Sequence, residues 1–146
     1  MDGNDPALKD EIVIIGAHYD HLGVRDGKIY PGADDNASGT AAVIEVARQL
    51  MQTRAKLART VYIAAFDGEE LGLFGSDQLA KELADKNVVL MISADMVGWY
   101  RATGALTLEG SGTIRHGDAL LKEIAARNGI NVELKKFEDS IFTATD

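Results

Sequence analysis

Three short apolar runs constrain the fold most, each about one strand long and each separated from the next by a segment of helical periodicity. Residues 12–17 (IVIIGA), 60–66 (TVYIAAF) and 88–94 (VVLMISA) are rich in β-branched side chains and carry no charge. Runs without polar alternation suit strands covered on both faces, as in parallel sheets. Between the first two, Val43, Val46, Ala47, Leu50 and Met51 recur at helical spacing and predict an amphipathic helix over about 38–52. Between the second and third, a helix is predicted from DGEE to about Lys86, with Leu79, Leu83 and the aliphatic stem of Lys86 on one side, and with Gly72 and Gly75 weakening its first turns. This βαβαβ order implies right-handed crossovers and an α/β fold: a three-layer sandwich with a mostly parallel central sheet flanked by helices. Further on, residues 104–110 and 130–134 read as strands. Leu120, Leu121, Ile124 and Ala125 mark a helix stopped by Asn128-Gly129. Residues 136–145 read as a loop.

At 146 residues, the chain is expected to form a single domain. Its 23 acidic against 15 basic residues give a formal charge of −8, which disfavours nucleic acid and anionic lipid and favours cations as guests. No stretch approaches the ~20 apolar residues of a membrane span. With no cysteine, any bound metal must be held by His, Asp and Glu.

Each apolar run is followed by groups able to hold such a cation. In parallel α/β sheets the loops after the strand ends share one edge, where ligands bind. His18 follows the first run. Asp34 and Asp35 stand in the turn-rich segment YPGADDNASG at 30–39, where Asn36 and Ser38 are good helix N-caps. Glu69 and Glu70 follow the second run, and Asp95 ends the third. Taken singly, each has an ordinary explanation as a turn former, a helix cap, a dipole partner or a core histidine. Gathered at one edge, they are like charges that need a cation to ionise together. Histidine with carboxylates and no thiolate suits zinc, manganese or cobalt in a catalytic site. If two ions share the site, one Asp in the loop can bridge them, and a further carboxylate remains for proton transfer. Asp20, two residues after His18, is placed to accept a hydrogen bond from the imidazole's other nitrogen.

The motifs GAHYDHLG at 16–23, YPGADDNASG at 30–39, FDGEELGLFGS at 66–76 and SADMVG at 93–98 together resemble the M28 family of co-catalytic zinc aminopeptidases. The resemblance implies a two-zinc α/β hydrolase that removes N-terminal residues from peptides with a free N-terminus. It implies His18 and Asp95 as ligands of the first zinc, Asp35 as the bridge, Glu70 as a ligand of the second and Glu69 as the general base. It also makes Asp35-Asn36 a candidate for a cis peptide bond. Members of the family continue after a Ser/Thr-Asp pair to a histidine of the second zinc, and this chain stops at Thr145-Asp146. The expectation is therefore a catalytic core lacking an N-terminal strand and the C-terminal part, with a complete first site, a weakened second one, and edges open to self-association. His21 reads as a pocket-rim residue and His116 as a solvated helix terminus. Two alternatives stand beside the peptidase: a glutaminyl cyclase-like acyltransferase and a non-catalytic binding module on the same fold. Location is unknown from the chain and is secreted or periplasmic by resemblance.

Overall fold

A computed structural model describes residues 1–53 and 56–135, so the loop expected at 136–145 lies outside the described residues. The chain divides into two compact units, one spanning Met1–Val97 and the other beginning at Gly98.

In the first unit the three apolar runs become β1 (Glu11–His18), β4 (Thr60–Phe66) and β5 (Asn87–Ser93), joined in one parallel sheet of order β4-β1-β5. The register pairs His18 with Phe66 and Gly16 with Ser93, so the strands end together. Helix α1 (Ala37–Thr53) leads from β1 to β4, and α2 (Phe74–Glu82) leads from β4 back across β1 to β5. The two crossovers run in opposite directions. Right-handed connections then place α1 and α2 on opposite faces, which opens a crevice at the C-terminal ends of β1 and β4. Met1 pairs with Val61 of β4: its terminal amino group donates to the Val61 carbonyl at 2.8 Å, and the Val61 N–H donates to the Met1 carbonyl at 2.9 Å.

The core of this unit is small: Ile12, Ile14 and Ala17 of β1, Val43 of α1, and Val61 and Phe66 of β4. Leu79, Leu83 and Lys86, expected on one side of the second helical segment, line an apolar cavity with Ile14, Phe66, Val88 and Met91. Two expectations are corrected. Strand β5 is not covered on both faces; Val88, Val89, Met91 and Ile92 are all exposed, since Val88 and Met91 border the apolar cavity beside α2, and no strand pairs with the free edge of β5 among the described residues. Helix α2 begins at Phe74 instead of after DGEE, since Gly68, Gly72 and Leu73 take positive φ (72°, 121° and 62°) and residues 69–73 form turns.

A hairpin not anticipated from the sequence, β2 (Gly23–Arg25) with β3 (Lys28–Tyr30), projects between β1 and α1. Its two-residue turn is Asp26-Gly27, both at positive φ (52° and 72°), the pairing that fits the twist of adjoining antiparallel strands.

In the second unit a short helix α3 (Tyr100–Thr103) precedes β6 (Leu106–Glu109), which pairs in parallel with β7 (Val132–Lys135). Helix α4 (Gly117–Arg127) connects them and stops where Asn128 caps it and Gly129 turns to φ 66°. No helix among the described residues is long and apolar enough to cross a membrane.

Candidate metal centre

Four segments of the first unit deliver side chains to the crevice. His18, the last residue of β1, is 1% exposed. Its Nδ1 lies 3.2 Å from the carbonyl oxygen of Asp20. A carbonyl can only accept, so this contact favours the tautomer with its proton on Nδ1 and its Nε2 turned to the crevice. Nε2 faces three carboxylates: Asp35 Oδ1 at 3.4 Å, Asp95 Oδ1 at 3.6 Å and Glu69 Oε2 at 4.0 Å.

The carboxylate of Asp20 is 3.6 Å from Nδ1, farther than its own carbonyl, and it accepts the N–H groups of Glu69 (3.1 Å) and Glu70 (3.3 Å). It thereby fixes the backbone that carries both glutamates. Asp35 is held from the other side. The Asp35-Asn36 peptide bond is cis, and Asn36 is 1% exposed at the start of α1. The Asn36 amide donates to the carbonyl of Ala94 at 2.9 Å, while its Oδ1 accepts from Gly39 N (3.0 Å) and Met96 N (3.2 Å). Ser38 Oγ donates to the Asp34 carbonyl at 2.7 Å and accepts from Val97 N at 3.0 Å, and Thr40 donates to the His18 carbonyl at 2.9 Å. The first turn of α1 thus ties the ends of β1 and β5 to the Asp35 loop. Gly39 is required for that approach, because a Cβ there would lie 2.2 Å from the Ala94 oxygen.

The donor atoms fall into two groups that share Asp35: His18, Asp35 and Asp95, and His21, Asp35 and Glu70. Tetrahedral zinc with bonds of about 2.0–2.1 Å sets its N and O ligands roughly 3.3 Å apart. The separations of 3.4 and 3.6 Å from His18 Nε2 are close to that value. Asp95 Oδ1 is buried and has no hydrogen-bond partner, as a cation ligand would be in the absence of its ion. The residues therefore fit a divalent cation.

Beside the centre, Tyr19 has its phenol pushed above its ordinary range, chiefly by the charge of Asp67, with Asp20 adding to it.

All six site residues expected from the motifs, His18, Asp20, Asp35, Glu69, Glu70 and Asp95, lie in this crevice, and the candidate cis bond is cis. His116 is an exposed residue preceding α4, in the second unit. His21 did not stand out in the sequence as more than a rim residue, although it follows His18 by three. Asn36 showed only as a helix cap; nothing in its local sequence reveals the bond to Ala94.

A parallel α/β sheet with a His–carboxylate cluster at its C-terminal edge defines an α/β protein with side chains grouped as a metal ion could be held. The model of Peptidase family M28 matches residues 1–146, and the chain belongs to that family. It is 33% identical over 109 residues to a probable leucine aminopeptidase of Arthroderma otae, covering 70% of this chain and 30% of the relative. It is 36% identical over 105 residues to leucine aminopeptidase 1 of the same organism, covering 66% and 28% respectively. An uncharacterized protein of Escherichia coli, YfbL, is 41% identical over 96 residues, 61% of this chain and 29% of its own. The matches therefore span less than a third of these relatives' length. No solved structure matches the chain.

Proposed function

We propose that these residues serve a zinc-dependent aminopeptidase that hydrolyses the N-terminal residue from peptides with a free α-amino group. The observation that carries this reading is the convergence of His18 Nε2 on Asp35, Asp95 and Glu69 within 4.0 Å, in a chain of Peptidase family M28 similar to leucine aminopeptidases. In the proposal His18, Asp35 and Asp95 would hold one zinc, and Asp35 and Glu70 would serve a second. Bound zinc lowers the pKa of water and polarises a carbonyl oxygen.

The chain's own residues supply the rest. Glu69 takes the proton from the attacking water and gives it to the departing amine nitrogen. Its backbone is anchored on Asp20, which fixes the point from which the carboxylate reaches the site. Asp20 acts as a positioning residue for Glu69 and Glu70, and its carbonyl orients the His18 ring. The clustered carboxylates attract the cationic α-amino group of a peptide and repel its C-terminal carboxylate, which favours removal from the N-terminal end. A secreted or periplasmic location is proposed on family membership, and fractionation of cells expressing the protein checks it.

The test is incubation of the zinc-loaded protein with Leu-p-nitroanilide and with a peptide beginning in Gln. Release of p-nitroaniline, abolished by Glu69→Gln, is expected. Loss of ammonia with cyclisation of the Gln peptide, and no hydrolysis of either substrate, would replace the reading with an acyltransferase. No reaction with either would leave a binding module.

A further inference from the structure

We propose that the β2–β3 hairpin reads a carboxylate about four residues along a peptide substrate, with Arg25 and Lys28 as the recognition residues. The inference rests on the aminopeptidase reading above and adds to it a preference among peptides.

The hairpin pairs Gly23 with Tyr30, Val24 with Ile29 and Arg25 with Lys28. Side chains alternate along a strand, so Arg25, Lys28 and Tyr30 share one face while Val24 and Ile29 share the other. Every residue of both strands is exposed, so none of these side chains is there to fill a core. Arg25 and Lys28 are cross-strand neighbours of like charge, an arrangement that by itself destabilises a hairpin. Neither side chain has an ion-pair partner among the described residues, although the chain carries 23 acidic groups. Two unneutralised cations on one face suit an anion.

The same register leads back to the candidate metal centre. After Arg25 opposite Lys28 and Gly23 opposite Tyr30, the next pair in the series is His21 and Gly32, and these are in contact: a Cβ on Gly32 would lie 2.9 Å from His21 Cβ and Cγ. His21 Nδ1 is in turn 2.7 Å from Glu70 Oε1 and 3.8 Å from Asp35 Oδ2. One face of the hairpin therefore runs from the acidic crevice to the cationic tip. Midway, Gly23 keeps that face open, since a Cβ there would have nothing within 4 Å, and Tyr30 stands beside the opening.

The spacing sets the length of peptide. Four residues of strand separate His21 from Arg25, about 14 Å at roughly 3.4 Å per residue. An extended peptide covers about 3.3–3.6 Å per residue. With its α-amino group among the carboxylates, the fourth residue comes level with the two cations. Crevice and tip are then complementary to opposite charges of one short peptide.

The test measures KM and kcat of the zinc-loaded protein at low salt for Leu-Gly-Gly-Gly as free acid and as C-terminal amide. A second arm compares amidated Leu-Gly-Gly-Glu-Gly with its Gln counterpart, separating a chain terminus from an acidic side chain. An exposed ion pair contributes up to roughly fivefold, so two should lower KM for the carboxylate form by about 3–10-fold at equal kcat. The advantage should shrink with added salt, be absent from the acid and amide of the dipeptide Leu-Gly, and vanish in the Arg25→Ala/Lys28→Ala double variant. Arg25→Lys should keep it. Equal KM within both pairs, or an advantage that survives in the double variant, would overturn the inference and leave the peptidase reading standing. The wild-type comparison needs no variant to fold. If Leu-p-nitroanilide is not hydrolysed at all, the peptidase reading fails, and NMR decides the inference separately. Backbone amide resonances of residues 23–30 should shift with the free-acid tetrapeptide and not with its amide; no shift with either would overturn it.

Discussion

The side-chain amide of Asn36 donates to the carbonyl of Ala94 at 2.9 Å, so the residue after Asp35 is tied to the residue before Asp95. Two carboxylates 60 positions apart in the chain thereby come to similar distances, 3.4 and 3.6 Å, from His18 Nε2. Asn36→Ala removes this bond and the acceptor for Gly39 N and Met96 N, leaving buried groups unsatisfied. Each such group costs about 1–3 kcal/mol. Urea unfolding of the metal-free protein should show a loss of about 2–4 kcal/mol, and zinc affinity should fall as well. Unchanged stability would mean that water or a neighbour replaces the amide.

Gly39→Ala attacks the same junction from the other side. The added Cβ would sit 2.2 Å from both the Ala94 oxygen and Asn36 Oδ1, and the first of these is backbone that cannot rotate aside. Overpacking of this kind typically costs 1–3 kcal/mol, and about 3 kcal/mol is expected here. A thermal melt equal to wild type would show that the first turn of α1 can move off β5.

Glu69→Gln keeps the size of the side chain and its backbone anchorage on Asp20 while removing the basic oxygen. Hydrolysis should fall by about 10²–10⁴-fold, the usual contribution of a general base. Zinc content should be unchanged. Retained turnover would take Glu69 out of that role; lost zinc would make it a ligand.

Zinc should stabilise the folded chain and a chelator should reverse the effect. A cation relieves the repulsion among Asp35, Glu69, Glu70 and Asp95 and binds the folded state preferentially. At about 100 times its dissociation constant a ligand contributes about 2.7 kcal/mol. The melting temperature should rise with zinc concentration and return on adding EDTA; a melt indifferent to both would exclude a folded-state site.

The helix α1 carries a separate acid response. Arg48 donates two hydrogen bonds to Glu45, and Gln49 donates a third, which pulls the Glu45 carboxyl down from 4.5 to about 2. Because the folded value lies below the ordinary one, the stabilisation is fully present above pH 4.5 and is lost as pH falls towards 2. The cluster is exposed, so its contribution to overall stability is small. An NMR titration should give a Glu45 midpoint near 2 in the native state, rising in Arg48→Ala; a midpoint that Arg48→Ala leaves unchanged would exclude the guanidinium as its cause.

Local chemistry made much of the molecule legible. Apolar β-branched runs and helical periodicity are short-range properties, so β1, β4, β5, α1 and α4 follow from residues near one another in the chain, and their βαβαβ order implies the parallel pairing of the three strands. The motifs likewise mark His18, Asp20, Asp35, Glu69, Glu70 and Asp95, because in a parallel sheet every strand must end at the same edge. The tertiary structure alone decided the rest. Which oxygen of Asp35 faces which imidazole depends on the packing of Gly32 against His21. That Asp20 anchors the Glu69–Glu70 backbone depends on a contact across some 50 residues. That Asn36 joins Ala94 depends on the close approach of α1 to the end of β5, which Gly39 permits. These are distances between segments remote in sequence, and neither side-chain periodicity nor turn chemistry carries information about them.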